Sequence, residues 1–200
     1  MKRLLVTGGS GFVGGHAVSR ASGDWETAAT WGVHPFSIPG VRAFRMDLEN
    51  ARSIEEVLGA FRPDALIHTA AWSGLEACEE DQKRAFRINT GATGLLARIC
   101  EASGTRFVFV SSDMVFDGTK GNYAESDAPN PIQTYGESKR AAEWEIEGAC
   151  GNHASARAAL VYGKPLTGSN SFSEKILAKL RRGEPMELYT DQFRTPVLVE

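Results

Sequence analysis

Tyr135-Gly136-Glu137-Ser138-Lys139 sets a phenol and an ammonium four residues apart. On a helix that spacing puts both on one face. Reduction of a carbonyl needs a proton donor at the oxygen while hydride arrives at the carbon. A phenol with a pKa near ~10 does this poorly at neutral pH unless its anion is stabilised. A lysine ammonium one turn away lowers that pKa and can also hold a ribose hydroxyl. Upstream, Val110-Ser111-Ser112-Asp113 closes a short apolar run with two hydroxyls. At the carboxyl edge of a sheet, Ser112 is the candidate to hydrogen-bond a substrate carbonyl, with Ser111 as its packing neighbour.

Near the chain start, Thr7-Gly8-Gly9-Ser10-Gly11-Phe12-Val13-Gly14 satisfies both G-x-x-G-x-x-G and G-x-G-x-x-G. It follows an apolar run and opens a helical pattern, the context in which such a turn holds a pyrophosphate. Glycine permits the turn's backbone angles and a close approach to main-chain N–H groups, and the helix N-terminus favours the anion. Gly8, Gly11, Phe12, Val13 and Gly14 are therefore cofactor-binding candidates. The segment Thr27–Met46 holds no carboxylate. A ribose-reading acid is thus missing from its usual place, which favours NADP and leaves NAD as the alternative. His34 and Arg42 are candidates to meet the extra phosphate. Asp47, after the third strand, could accept a hydrogen bond from an adenine amino group, with Leu48 beside it.

The elements that must position these residues follow from the alternation of apolar runs and helical stretches. Strands are expected at Leu4–Thr7, Glu26–Trp31, Val41–Met46, Ala65–His68, Phe107–Ser111 and Ala154–Leu160. Helices are expected at Phe12–Ser22, Ser53–Phe61 (capped by Ser53, with Glu56 three residues on), Gln82–Ser103 and Thr134–Cys150. Strands separated by helices imply a doubly wound α/β fold with a parallel sheet, binding its ligand beyond the carboxyl ends of the strands. Residues 1–162 read as the dinucleotide-binding domain. Residues 163–200 read as the incomplete start of a smaller substrate-side region, with a helix at Phe172–Arg182 and a strand at Met186–Tyr189.

A net charge of −3 argues against a general nucleic-acid binder. No apolar stretch approaches a membrane span, and the first apolar run is too short for a signal peptide, so a cytoplasmic protein is expected. Cys78, Cys100 and Cys150 have no metal-ligand spacing and read as free thiols. The histidines likewise suggest no metal site. Glu79-Glu80-Asp81 reads as a solvated helix start, and Lys179, Arg181 and Arg182 as a helix end that could also face a diphosphate.

These motifs together resemble the extended short-chain dehydrogenases. Further stretches narrow the resemblance to the dTDP-4-dehydrorhamnose reductases. Ser111-Ser112-Asp113-Met114-Val115-Phe116-Asp117-Gly118 is similar to their S-T-D-Y-V-F-D-G. Tyr123-x-Glu125-x-Asp127-x-Pro129-Asn130-Pro131 running to Tyr135-Gly136 is similar to Y-x-E-x-D-x-P-x-P-x-x-x-Y-G. Thr69-Ala70-Ala71-Trp72 through Ala77-Cys78-Glu79 resembles N-A-A-Y…D-A-C-E, and Asp191-Gln192-x-x-Thr195-Pro196 resembles D-Q-x-G-T-P. The resemblance implies NAD(P)H-dependent reduction of the C4 ketone of a nucleotide-linked 6-deoxysugar. In that role Tyr135 donates the proton, Lys139 tunes it and Ser112 polarises the ketone, while Ala70 and Ala71 line the cofactor path. It leaves room for a homodimer. Met114, Thr69 and Arg194 depart from the pattern on the substrate side. Two rivals share the scaffold. One is an epimerase or dehydratase, although Ser112-Asp113-Met114 lacks the Asp-Glu pair a dehydratase carries. The other is a non-catalytic NADP-binding subunit like the regulatory subunit of methionine adenosyltransferase.

Overall fold

The computed structural model describes residues 1–168, 171–187, 190 and 192–199. Six strands, β1 (Arg3–Thr7), β2 (Glu26–Trp31), β3 (Arg42–Arg45), β4 (Ala65–His68), β5 (Arg106–Ser112) and β6 (His153–Ala158), pair in the order β3-β2-β1-β4-β5-β6. Every pair is parallel. The sheet grows from β1 in both directions, and right-handed crossovers then send helices to opposite faces. Helix α1 (Phe12–Ala21) covers one face with Leu4, Val6, Val18 and Ala29. Helices α2 (Ala51–Phe61), α5 (Ala92–Ser103) and α6 (Thr134–Ala149) cover the other, around Leu5, Leu66, Leu96, Phe107, Phe109 and Ile146. The doubly wound α/β fold expected from the sequence is the one observed.

Several local expectations change. Asn50, not Ser53, caps α2: its side chain accepts from the Ser53 backbone N–H. The Ser53 hydroxyl is engaged elsewhere, accepting the N–H of Asp47 at 3.0 Å. The helix expected at Gln82–Ser103 forms over those bounds, but with a wider turn inside it. Helix α3 (Leu75–Glu80) precedes α4 (Gln82–Phe86), a π-helical turn spans Arg87–Gly91, and α5 follows to end on the left-handed Gly104. The wider turn lets Asn89 face inward. Its Oδ1 accepts the N–H of Trp72 at 2.8 Å, and its Nδ2 donates to the Trp72 carbonyl and to Ser138 Oγ at 3.0 and 2.9 Å. Such π turns often mark functional sites.

Glu79 is not a solvated helix start. It lies in the last turn of α3, and its carboxylate accepts both the N–H and the hydroxyl of Thr134, at 2.8 and 2.6 Å. It thereby caps α6, whose own N-cap residue Gln133 makes no side-chain bond. Those bonds hold the Glu79 carboxyl below the usual range. Asp81 caps α4 through the N–H of Arg84.

Beyond β6, β7 (Val161–Tyr162) and β8 (Val197–Leu198) form a small parallel pair that the sequence did not suggest, with α7 (Phe172–Arg181) between them. The strand expected at Met186–Tyr189 includes Leu188 and Tyr189, which lie outside the described residues, as do Ser169, Asn170 and Asp191. Cys78, Cys100 and Cys150 are buried and unpaired. Among the described residues, no helix is long and apolar enough to cross a membrane.

Candidate active site

A cleft of about 660 Å³ runs along the carboxyl ends of β1 to β6. Its centre is the turn from β1 into α1. Gly8 sits at φ +73°, and a Cβ there would stand 2.8 Å from the Ala70 nitrogen. A Cβ on Gly14 would come within 2.2 Å of the Gly8 carbonyl oxygen. These positions need glycine for backbone angle and for close approach. The helix start after Gly11 has no side-chain cap and no acid in its first turn. Its first N–H groups have no intrahelical acceptor, which suits them to an anion. The shape and chemistry of this turn fit the pyrophosphate of a dinucleotide.

Of the residues singled out in the sequence, Gly8, Gly11, Phe12, Val13, Gly14, Asp47, Leu48, Ala70, Ala71, Ser112, Tyr135 and Lys139 all line this one cleft. His34 does not: it is exposed beyond the end of β2, where Gly32 and Val33 form the wall instead. Arg42 also stays outside, its guanidinium stacked 5.2 Å from the Phe44 ring centroid and 5.7 Å from that of Phe61. The cation that does line the cleft at this end is Arg45, paired in register with Trp31. Its guanidinium lies 6.0 Å from the Trp31 ring centroid. The sequence held the signal for it, a basic residue closing the strand beside β2. Asp47 Oδ1 accepts the N–H of Glu49 at 2.9 Å. Glu49 receives two bonds each from Arg84 and Arg87, and those bonds hold its carboxyl below the usual range. Arg84 in turn lies 4.0 Å over the ring of the cleft residue Trp72.

The opposite wall comes from β5 and α6. Lys139 is buried, donates from Nζ to the Val110 carbonyl at 2.7 Å and lies 3.9 Å from the Phe109 ring centroid. Burial draws its pKa down to about 7, against the attraction of Glu143. Burial pushes the Tyr135 phenol up to about 12, helped by Cys78 and Asp113. The expected lowering of the phenol by Lys139 is thus not what governs it in this structure. At neutral pH the phenol keeps its proton, the form a donor needs. Ser112 Oγ accepts the N–H of Met114 and donates to Asp113 Oδ1, both at 3.2 Å. It therefore caps a 3₁₀ turn at Asp113–Val115 as well as lining the cleft. Arg194 Nη2 reaches the same Asp113 oxygen at 3.0 Å. Lys179, Arg181 and Arg182 lie away from the cleft, and Arg182 pairs with Glu184.

Beneath the cleft, His68 is buried between Thr7 Oγ1 at 2.6 Å and Thr93 Oγ1 at 3.0 Å. Thr93 donates to the Asn89 carbonyl, so it accepts from Nε2–H and leaves Nδ1 to accept from Thr7. Burial and the nearby Lys139 charge bring its pKa down to about 3, so the ring is neutral.

A parallel sheet in this order, with a glycine turn at its centre and a tyrosine–lysine pair on the helix after β5, defines the class of extended short-chain dehydrogenases. Within it, the profile of the RmlD substrate binding domain matches residues 1–200, and the chain belongs to that family. It is 31% identical over 195 residues to a dTDP-4-dehydrorhamnose reductase of Burkholderia thailandensis, covering 97% of this chain and 61% of that protein. It is 32% identical over 167 residues to the methionine adenosyltransferase 2 subunit beta of Danio rerio, covering 82% of this chain and 49% of that protein. Among solved structures, a dTDP-4-dehydrorhamnose reductase of Bacillus anthracis in complex with NADP superposes with a TM-score of 0.84 at 25% identity, covering 100% of this chain and 67% of that one. The chain therefore spans about half to two thirds of the length of these relatives.

Proposed function

We propose that this chain carries the cofactor site and the acid–base residues of an NAD(P)H-dependent reductase acting on the C4 ketone of a nucleotide-linked 6-deoxysugar. The observation that carries the reading is that the glycine turn, Ser112, Tyr135 and Lys139 share one cleft at the carboxyl edge of the sheet. Gly8 to Gly14 would hold the pyrophosphate, Asp47 and Leu48 the adenine end, and Arg45 a 2′-phosphate. NAD(P)H supplies the hydride when bound. Tyr135 Oη gives its proton to the ketone oxygen, leaving a phenolate that the Lys139 ammonium stabilises until solvent restores the proton. The Ser112 hydroxyl, which donates to Asp113 in this structure, would turn to donate to the same ketone oxygen and polarise it. Residues 1–162 would form the cofactor domain, and 163–200 the start of the substrate side. Buried, unpaired cysteines suit the cytoplasm.

A second reading is kept because of the likeness to the methionine adenosyltransferase subunit: a dinucleotide-binding subunit without turnover. The test is NADPH consumption across a panel of nucleotide-linked 4-ketosugars, with Tyr135→Phe beside the wild type. Turnover that falls about a hundred- to ten-thousand-fold in the variant is expected, with NADPH affinity nearly unchanged. A wild type that binds NADPH but oxidises it with no ketosugar moves the protein to the second reading.

A further inference from the structure

Glu143 takes no part in the chemistry described above, yet it is 1% exposed and carries a charge. It stands four residues after Lys139 and eight after Tyr135, on the same face of α6. Its Oε1 accepts from Ser111 Oγ at 2.6 Å and from Arg157 Nε at 3.0 Å. Its Oε2 accepts from Arg140 Nη1 and Arg157 Nη2, both at 2.9 Å. Ser111 and Arg157 are register partners in β5 and β6, so one carboxylate grips the ends of two strands. The residue before Ser111 lends its carbonyl to Lys139, and the residue after it is Ser112. Burial opposes the charge on Glu143, but the bonds from Arg157, Ser111 and Arg140 outweigh it and hold the carboxyl below the usual range.

A buried ion cluster is weak support for stability, because well-packed apolar residues in its place are often as good or better. Ala142 and Ile146 show that this part of α6 packs apolar side chains into the core. The fold alone therefore gives little reason for a charge at 143. The surroundings of Lys139 give one. Beside it lie the neutral His68 from β4 and the Phe109 ring from β5, with Tyr135 one turn earlier on its own helix, while Arg140 and Arg157 both bond Glu143. Glu143 is the anion among them that favours the ammonium.

We propose that Glu143 is a positioning residue for the Tyr135–Lys139 pair, seating α6 against β5 and β6 and keeping Lys139 charged at working pH. The role rests on the reductase reading, but its electrostatic part can be measured without cofactor or substrate. The side-chain resonances of Lys139, assigned by their loss in Lys139→Gln, are titrated by NMR in the wild type, Glu143→Gln and Arg157→Gln. A lysine is charged below its pKa. Removing the anion therefore moves the midpoint to lower pH, by about one unit or more. Removing Arg157 uncovers the anion and moves it to higher pH. A purely structural role gives no such opposition of sign. Folded Glu143→Gln with an unmoved midpoint, or both variants shifting the same way, overturns the proposal. If Glu143→Gln does not fold, Arg157→Gln decides alone: a rise supports the proposal and no rise rejects it. Where the wild type reduces a ketosugar, the alkaline limb of its kcat profile follows the same shifts. Absence of turnover counts against the reductase reading and leaves the Lys139 titration as the test of Glu143.

Discussion

Between Arg3 and Ala158 the chain buries a continuous core on one face of the sheet and a smaller one on the other. Between Phe172 and Arg181, helix α7 has an apolar stripe but no buried residue, and Phe172 is 53% exposed. Both regions have helical patterning and competent caps; Ser171 accepts the N–H of Glu174 as an ordinary N-cap. The difference lies in what each element packs on. The cofactor half supplies its own partners: the connections from β1 to β2, β3 to β4, β4 to β5 and β5 to β6 each lay helices on the sheet, and only β2 to β3 returns as a loop. The C-terminal segment reaches back chiefly through short contacts. These include the β7–β8 pair, His16 Nε2 to the Lys164 carbonyl at 2.8 Å, Thr167 to the Ser10 carbonyl at 2.9 Å, and Arg194 to Asp113. Chemistry that depends on the first region should therefore survive changes that disturb the second.

The largest test of that contrast is stability. Phe107→Ala removes a fully buried ring and should cost about 3–5 kcal/mol in denaturant unfolding, whereas Phe172→Ala should stay within about 0.5 kcal/mol. Equal losses would mean that α7 belongs to the same cooperative core. A smaller effect sharpens the picture inside the cofactor half. Arg45→Gln should weaken NADPH binding about tenfold while leaving NADH within about twofold, read by fluorescence titration. Equal weakening of both would place Arg45 near the shared part of the dinucleotide, and no weakening of NADPH would remove it from phosphate recognition.

The residues legible in the sequence were those whose meaning lies in local spacing. The glycines of a turn and a tyrosine one helical turn from a lysine declare themselves within a few positions. The alternation of strands and helices fixed the sheet because a parallel pair needs a crossover. Residues that act across the chain left no such mark. Glu79 caps a helix whose first residue is Thr134, and Asn89 ties a π turn to Trp72 and Ser138. Asn50 and Ser53 are both good capping types, and only the fold shows that the Ser53 hydroxyl is taken by Asp47. The sequence pointed to His34 and Arg42 as the cations for this end of the cleft and passed over Arg45, the last residue of β3. The chain's path past Trp31 leaves His34 exposed and brings Arg45 to the cleft wall. The β7–β8 pair joins residues far apart through two-residue strands, too short to carry an alternating pattern.

The central claim is that one dinucleotide spans this cleft from the glycine turn to the phenol of Tyr135. A crystal structure of the protein with NADP tests it directly. The pyrophosphate is expected on the N–H groups that follow Gly11, the adenosine phosphate near Arg45, and the nicotinamide ring within reach of Tyr135 Oη. Density for the dinucleotide elsewhere, or a nicotinamide lying on the far side of the cleft from that hydroxyl, would contradict it.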